Sequence, residues 1–138
     1  MSKDIFFAPP YKVLEVNDIQ SLGQTIPWSL TDLDIPGIWA ESLGEDITIL
    51  LIDSGIQMDH EDLINNINSE LSCSFHPTEK TVSDRNSHGT ASAGVIVATA
   101  NEVGIIGVAP RARVIAVKVL GESGGGPMEA IDAGLQYA

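Results

Sequence analysis

Two runs of apolar, β-branched residues dominate the hydrophobic pattern of the chain. The first occupies residues 47–52 and the second residues 112–120, and both have the length and composition of buried strands. Small residues at 89–100 predict a helix that packs closely on a sheet, and residues 127–138 predict another helix. Strands that alternate with helices are typical of a doubly wound parallel sheet, so the pattern predicts the α/β class.

Shorter elements are predicted before and between these. Residues 36–43 are predicted to form a short helix that Gly44 ends, because proline suits a first turn and glycine follows a last one. A short strand is predicted at 72–75, within a polar connection. Residues 1–23 are predicted to be an N-terminal extension, with a short strand at 13–16.

Two of the predicted elements have an ionisable side chain at one end. One side chain follows a strand and the other begins a helix, and a glycine lies close to each in the sequence. Asp53 comes directly after the first predicted strand, and His88 opens the predicted helix at 89–100. Ligands of open α/β sheets bind at the carboxyl ends of the strands, where a carboxylate can orient an imidazole. The pair therefore predicts an acid and a base at one edge of the sheet. A structural cap is the alternative for a histidine at a helix start.

The segments around these residues resemble the subtilisin-like serine proteases, the subtilases, and most of all the intracellular subtilisins. The matching segments, in the order of that family, are Asp53-Ser54-Gly55-Ile56, Asp62-Leu63, His88-Gly89-Thr90, Ala93-Gly94 and Gly107-Val108-Ala109-Pro110. The resemblance implies that residues 24–138 are the N-terminal portion of a subtilisin-like peptidase domain. It also implies a serine-type endopeptidase that acts on polypeptide substrates, with Asp53 as the triad acid and His88 as the general base.

By the same resemblance, the nucleophilic serine lies in a Gly-Thr-Ser segment beyond Ala138. The asparagine of the oxyanion hole is also expected beyond Ala138. Ser54 neighbours the acid, Ser87 neighbours the base, and Ser92 follows one helical turn later, so none is expected to be the nucleophile. We therefore expect these 138 residues to carry the acid and base only, without acyl-enzyme chemistry. The alternative is a catalytically incomplete fragment or a non-enzymatic binding remnant of a subtilase.

A structural calcium ion is also implied by the resemblance. The residues that would hold it, through side-chain or backbone oxygens, are Gln24, Asp62, Thr99, Asn101, Val103 and Ile105. Calcium takes about six to eight oxygen ligands from carboxylates, amides and carbonyls, so the set is chemically suitable. The alternative is that Asn101 and Glu102 only shape a turn.

Substrate binding is expected at the glycine run. Gly124, Gly125 and Gly126 would let a substrate backbone lie against an extended edge and pair with it. By the resemblance, the side chains that line apolar subsites are Leu120, Met128 and Ile131. A flexible connection before the last helix is the alternative for the glycines.

The N-terminal extension has a possible regulatory counterpart in the family. Intracellular subtilisins carry a short segment that folds back over the active site, with a proline that spoils cleavage geometry. Residues 7–11, Phe-Ala-Pro-Pro-Tyr, resemble such a segment. The alternative is a tail that nothing ties down.

Charge and composition exclude several other classes. The chain has 19 acidic and 7 basic residues, a net charge of −12, which argues against nucleic-acid and anionic-membrane partners. Its single cysteine excludes an internal disulfide framework. Neither a secretion signal nor a membrane-spanning run is visible, so we expect a cytoplasmic protein.

A metal-dependent hydrolase is a further alternative. It would use Asp53, Asp59, His60, Glu61 and His88. Residues 60–64 lack the second histidine of a zinc-protease helix, however. A solvated acidic turn is the simpler interpretation of His60 and its neighbours.

Overall fold

The structure is a computed structural model that describes the backbone of residues 5–7 and the whole of residues 23–138. The predicted strand at 13–16 lies outside these ranges. The elements are β1 (Ile5–Phe7), α1 (Trp28–Asp32), α2 (Ile35–Ile38), β2 (Thr48–Asp53), β3 (Cys73–Ser74), α3 (His88–Val97), β4 (Arg113–Lys118), β5 (Gly125–Pro127) and α4 (Met128–Tyr137).

The central sheet has three strands in the order β2-β4-β3, and both pairings are parallel. In the register of β2 with β4, Asp53 is opposite Lys118. Strand β3 pairs with the same end of β4, because Cys73 is opposite Val117. The three strands therefore bring their carboxyl ends to one edge, where the ionisable residues were expected.

Both faces of this sheet are covered, as a nearly unbroken apolar strand requires. On one face, Val114 and Ala116 of β4 belong to a buried cluster with Val97 of α3. On the other face, Val117 belongs to a second cluster with Ala130 of α4. The predicted α/β class with a doubly wound parallel sheet is thus confirmed.

The N-terminal helical region differs from the prediction. Helix α2 covers only Ile35–Ile38 instead of 36–43, and the sequence did not predict α1. The two short helices are separated at Asp34, which has a left-handed backbone with φ of 54°. After α2 the chain turns, and the Trp39 indole N–H donates to the Val108 carbonyl at 2.9 Å. Contacts with distant loops, not helix propensity, set these ends.

Helix α3 also ends earlier than predicted, at Val97 instead of Ala100. Ala98 is extended, with φ of −54° and ψ of 131°. The Thr99 N–H donates to the Asp62 carbonyl at 2.8 Å, and the Ala98 carbonyl accepts from Gly107 N–H at 2.9 Å. These tertiary bonds replace the next turn of the helix. Strands β2, β3 and β4 and helix α4 are found where predicted, with slightly different ends.

No helix within the described ranges is both long enough and apolar enough to cross a bilayer.

Two glycines allow the start of α3 to approach the turn that follows β2. A Cβ atom on Gly89 would lie 2.1 Å from the Gly55 carbonyl oxygen, which is far inside van der Waals contact. Gly55 itself has φ of +106°, and a Cβ there would lie 2.2 Å from the Val82 carbonyl oxygen. Only glycine fits at either position, and the close approach places the first turn of α3 beside Asp53.

Replacing Gly89 tests this packing. We expect Gly89→Ala to lower the free energy of unfolding by about 1–3 kcal/mol, because the methyl group forces the helix away from the sheet edge. Gly94→Ala is the matched control in the same helix, since its Cβ would meet only Ile105 Cδ1 at 3.7 Å. There, alanine should add about 0.5–1 kcal/mol. Equal effects of the two substitutions in urea unfolding would contradict the packing argument.

Candidate active site and calcium loop

Asp53 is the last residue of β2, and its backbone and side chain are both held in place. Its carbonyl oxygen accepts from Val119 N–H at 2.9 Å and from Leu120 N–H at 3.2 Å. Its carboxylate oxygen Oδ1 accepts from the Ser54 N–H at 2.6 Å. The carboxylate is therefore fixed at the carboxyl edge of the sheet with little freedom to turn.

His88 begins helix α3 and faces this carboxylate. Its Nδ1 lies 2.8 Å from Asp53 Oδ1 and 2.9 Å from Oδ2. Since an ionised carboxylate only accepts, Nδ1 carries the hydrogen, and in neutral imidazole Nε2 is then the acceptor. The side chains of His88 and Asp53 are 33% and 10% exposed, so the acid is buried behind an accessible imidazole. The contact that the sequence predicted between the two residues is present.

The three serines near the pair have other surroundings. Ser54 is fully buried, its hydroxyl donates to Asp84 Oδ1 at 2.9 Å, and its oxygen accepts from Gly89 N–H at 2.9 Å. Ser87 precedes α3 in a left-handed conformation with φ of 76°. Ser92 lies within α3, one turn beyond the histidine. The hydroxyl of Ser54 is thus committed to a structural role.

A buried ion pair that the sequence did not predict lies behind the acid. Lys118 is fully buried at the end of β4, and its Nζ donates to the Ser54 carbonyl oxygen and lies 3.1 Å from Glu79 Oε2. Burial raises the pKa of Glu79, but the Glu122 N–H and the Lys118 ammonium outweigh it, so this pKa lies below its ordinary value. A lysine directly after the apolar run of residues 114–117 was the signal for this pair.

The glycine run forms the expected extended edge. Gly124, Gly125 and Gly126 are buried, and the last two belong to β5. A Cβ on Gly126 would lie 2.1 Å from the Val119 carbonyl oxygen. The Gly125 carbonyl accepts from Gly121 N–H at 2.9 Å, which closes the loop after β4.

The three apolar residues expected at subsites have different environments. Leu120 and Ile131 are partly buried against the cluster formed by Ile115, Val117, Val119 and Ala130. Met128 begins α4 and is 36% exposed. Their role in substrate binding stays a prediction.

Strand β5 has a partner within the chain. Its backbone pairs antiparallel with β1, in a register that puts Ile5 opposite Pro127, Phe6 opposite Gly126 and Phe7 opposite Gly125. An extended segment of the chain's own N-terminal region therefore lies along the edge at which substrate binding was expected.

The residues expected at the calcium site come together in a loop after α3. The Asp62 carboxylate accepts from Asn101 Nδ2 at 3.2 Å and from Ile105 N–H at 3.1 Å. Gln24 Nε2 lies 2.6 Å from the Thr99 carbonyl oxygen, 3.0 Å from that of Ile105 and 3.4 Å from Asn101 Oδ1. Val103 contacts Asn101 Oδ1 through its N–H at 3.2 Å, whereas the expected calcium ligand is its carbonyl oxygen.

The residues of this loop fit a hard cation. Three oxygens lie within 3.4 Å of Gln24 Nε2, and one of them, Asn101 Oδ1, also accepts from the Val103 N–H. Asp62 is only 4% exposed, and no ion pair among the described residues involves it. Thr99 Oγ1 is buried without a hydrogen-bond partner. A buried carboxylate beside a loop rich in carbonyl and amide oxygens offers the kind of ligand that calcium takes.

The metal-hydrolase alternative gains no support. Within the part of the chain that the structure describes, no three histidine, cysteine, aspartate or glutamate side chains are grouped to hold a metal. His60 instead accepts from the Asp62 N–H at its Nδ1, at 3.2 Å, which shapes the turn after β2.

Comparison with known proteins identifies the family. Residues 44–138 match the subtilase family, peptidase S8, and this match covers more than half of the chain. The chain therefore belongs to the subtilase family.

Three relatives illustrate the similarity. The alkaline protease of Alkalihalobacillus alcalophilus is 38% identical over 122 residues, which are 88% of this chain and 31% of the relative. Subtilisin Savinase of Lederbergia lenta is 40% identical over 116 residues, 83% of this chain and 41% of the relative. For subtilisin E of Bacillus subtilis, the identity is 37% over 117 residues, 83% of this chain and 30% of the relative. The chain thus spans well under half the length of each.

The relatives also correct the expected location. The prediction of a cytoplasmic protein is wrong, because the matched alkaline proteases and subtilisins are secreted enzymes and point to the outside of the cell. That prediction depended on the lack of a signal pattern at the start of the sequence. Signal peptides are removed during processing, so a sequence without one does not indicate where the protein is located.

Proposed function

We propose that this chain supplies the acid and the base of a serine-type endopeptidase, with Asp53 as the acid and His88 as the general base. The observation that carries the proposal is the hydrogen bonding of His88 Nδ1 to both oxygens of a carboxylate fixed at a strand end. Membership of the subtilase family supports the same assignment. In the proposed organisation, residues 24–138 contribute the N-terminal portion of the peptidase domain, and residues 1–23 form an extension.

The proposed chemistry follows from the orientation of the imidazole. With Nδ1–H bonded to Asp53, Nε2 of His88 can take the hydroxyl proton as a serine oxygen attacks the acyl carbon of a peptide. The same nitrogen then gives that proton to the leaving amine as the C–N bond breaks. The Asp53 carboxylate stabilises the imidazolium that forms between the two transfers. By family resemblance, the serine comes from the Gly-Thr-Ser segment.

For the substrate, we propose an extended polypeptide that pairs with β5. Three features support β5 as the substrate-binding strand. Its glycines are buried, they have no side chains that would keep a peptide backbone at a distance, and β1 is already paired with it. Such β-strand addition gains affinity from main-chain hydrogen bonds, while side chains in adjacent pockets determine specificity. Leu120, Met128 and Ile131 are the proposed contributors to those pockets.

The pairing of β1 with β5 also supports a role for the N-terminal extension. A strand tethered to the same chain has a high effective concentration at the edge and competes with a free peptide. We propose that residues 5–7 restrict access to the substrate edge until they are displaced or removed.

Calcium is proposed as a structural ion in the loop after α3. The side chains of Gln24, Asp62 and Asn101 and the carbonyls of Thr99, Val103 and Ile105 would hold it. When bound, the ion supplies positive charge to the buried Asp62 carboxylate and ties this loop to the turn after β2. It is assigned no part in the chemical step.

The acid–base assignment is tested with a serine-directed phosphonylating reagent. We expect the 138-residue chain to stay unlabelled at Ser54, Ser87 and Ser92, and a chain extended through the family's Gly-Thr-Ser segment to react. In the extended chain, Asp53→Asn should reduce peptide hydrolysis by about 10⁴-fold in kcat, the loss seen for the same change in another triad. The exposed Asp59→Asn is the control and should have no such effect.

Stoichiometric labelling of the short chain with turnover would overturn the assignment, whereas an unreactive extended chain would favour the binding-remnant alternative.

The proposed competition at β5 is tested by removing residues 1–10 and titrating an extended peptide. We expect the deletion to shift the backbone amide NMR signals of Gly125 and Gly126 and to increase peptide affinity several-fold, because the tethered competitor is lost. A synthetic peptide of residues 1–10, added back, should reverse both changes. Unchanged glycine signals and equal affinities would show that β1 does not occupy the edge.

The calcium site is tested by thermal and urea unfolding of chelator-treated protein. Excess calcium should raise the free energy of unfolding by about 2.7 kcal/mol at a hundred times its Kd, since the ion binds the folded state only. Asp62→Asn should abolish this gain, and the exposed Asp59→Asn should retain it. Magnesium should substitute poorly, because it demands shorter, octahedral coordination. An unchanged melting temperature with calcium would refute the site.

A further inference from the structure

Asp84, in the loop before α3, receives an unusual number of hydrogen bonds. Its Oδ1 accepts from the Ser54 hydroxyl at 2.9 Å, from Asn86 N–H at 2.9 Å and from Ser87 N–H at 3.0 Å. Its Oδ2 accepts from Thr90 N–H at 2.9 Å and from the Thr90 hydroxyl at 2.6 Å. Five donors thus converge on one half-buried carboxylate.

These bonds supply what the start of α3 lacks. The first N–H groups of a helix have no partners within it, and a capping side chain usually provides one. Ser87 stands at the cap position but makes no side-chain cap bond. Instead, Asp84 accepts from Thr90 N–H and Ser54 accepts from Gly89 N–H. A carboxylate at this end also interacts favourably with the helix dipole.

Ser54 connects the two halves of the acid–base pair. It follows Asp53 directly, and its single hydroxyl group donates to Asp84 and accepts from Gly89 N–H. The turn that carries the acid and the helical turn that carries the base therefore share one hydrogen-bond network. The same loop reaches the substrate side, because Asn86 Nδ2 donates to the Glu122 carbonyl at 2.9 Å.

We propose that Asp84 is a positioning residue, which holds His88 against Asp53 through Ser54 and the first turn of α3. It acts through the groups that donate to it, because its charge orders five donors from the residue after β2, the loop before α3 and the first turn of α3. The proposal rests on Asp53 and His88 being the acid and base, but the bond between them can be measured without activity.

The ionisation of Asp84 agrees with this role. Burial raises its pKa, but the hydroxyl and N–H of Thr90, with the Asn86 N–H and the Ser54 hydroxyl, lower it by more. The net pKa lies below that of an ordinary aspartate, so the group is charged at neutral pH. A neutral amide of the same shape would turn a donor towards groups that themselves donate.

Asp84→Asn in the 138-residue chain tests the proposal. The readout is the Nδ1–H proton of His88, observed by NMR with labelled histidine, and its exchange with water. We expect Asp84→Asn to speed this exchange by about tenfold or more, the factor that loss of a charge-assisted hydrogen bond gives. The exposed Asp132→Asn is the matched control and should leave the signal unchanged. Circular dichroism and the melting curve report whether each variant is folded.

A folded Asp84→Asn variant with unchanged exchange would overturn the proposal. If Asp84→Asn does not fold, Ser54→Ala decides, because it removes only the connecting hydroxyl. Faster exchange in Ser54→Ala supports the proposal, and unchanged exchange overturns it. In the unsubstituted chain, ¹⁵N shifts that place the hydrogen of the neutral imidazole on Nε2 instead of Nδ1 would refute the Asp53–His88 pair itself. That is a failure of the proposed function and is distinct from a failure at Asp84 alone.

Discussion

The close approach of the Gly89 Cα to the Gly55 carbonyl is the constraint on which the candidate active site depends. A parallel sheet brings strand ends to one edge, but a helix start with an ordinary side chain at this contact could not come so close, because its Cβ would lie 2.1 Å from the Gly55 carbonyl oxygen. Because residues 55 and 89 are both glycines, the first turn of α3 lies directly on the turn after β2. In this arrangement the histidine on the first helical residue reaches the carboxylate on the last strand residue.

Charge compensation is the second constraint, because an acidic chain has buried ionisable groups at the same edge. Lys118 and Asp53 are opposite each other in the register of β2 and β4, yet Lys118 is paired with Glu79. This choice leaves the Asp53 carboxylate to His88. A lysine that paired with the acid would favour the charged carboxylate but would compete with the imidazole for its oxygens. The pairing behind the site thus keeps the acid available to the base.

Much of this arrangement could be predicted from the sequence, because local residue patterns indicate where the two long strands lie and where the helix begins. The β-branched runs predicted β2 and β4, and a charged residue immediately after a buried run predicted the position of Asp53 at the sheet edge. The histidine beside a glycine and small residues predicted a close helix start. Parallel topology then implied that the two side chains meet, with no knowledge of distances.

What the sequence did not predict arises from contacts between distant segments. The end of α3 is set by bonds from Thr99 and Gly107, and the short α1 and α2 are set by surrounding loops. Asp84 and Glu79 belong to a polar connection in which no periodicity distinguishes a structural carboxylate from a solvated one. Their partners become visible only in three dimensions. In strand β5, the glycines leave the backbone open to pairing, and β1 uses that opening. The same feature would serve the proposed substrate, so one chemical property underlies both the proposed recognition and its proposed restriction.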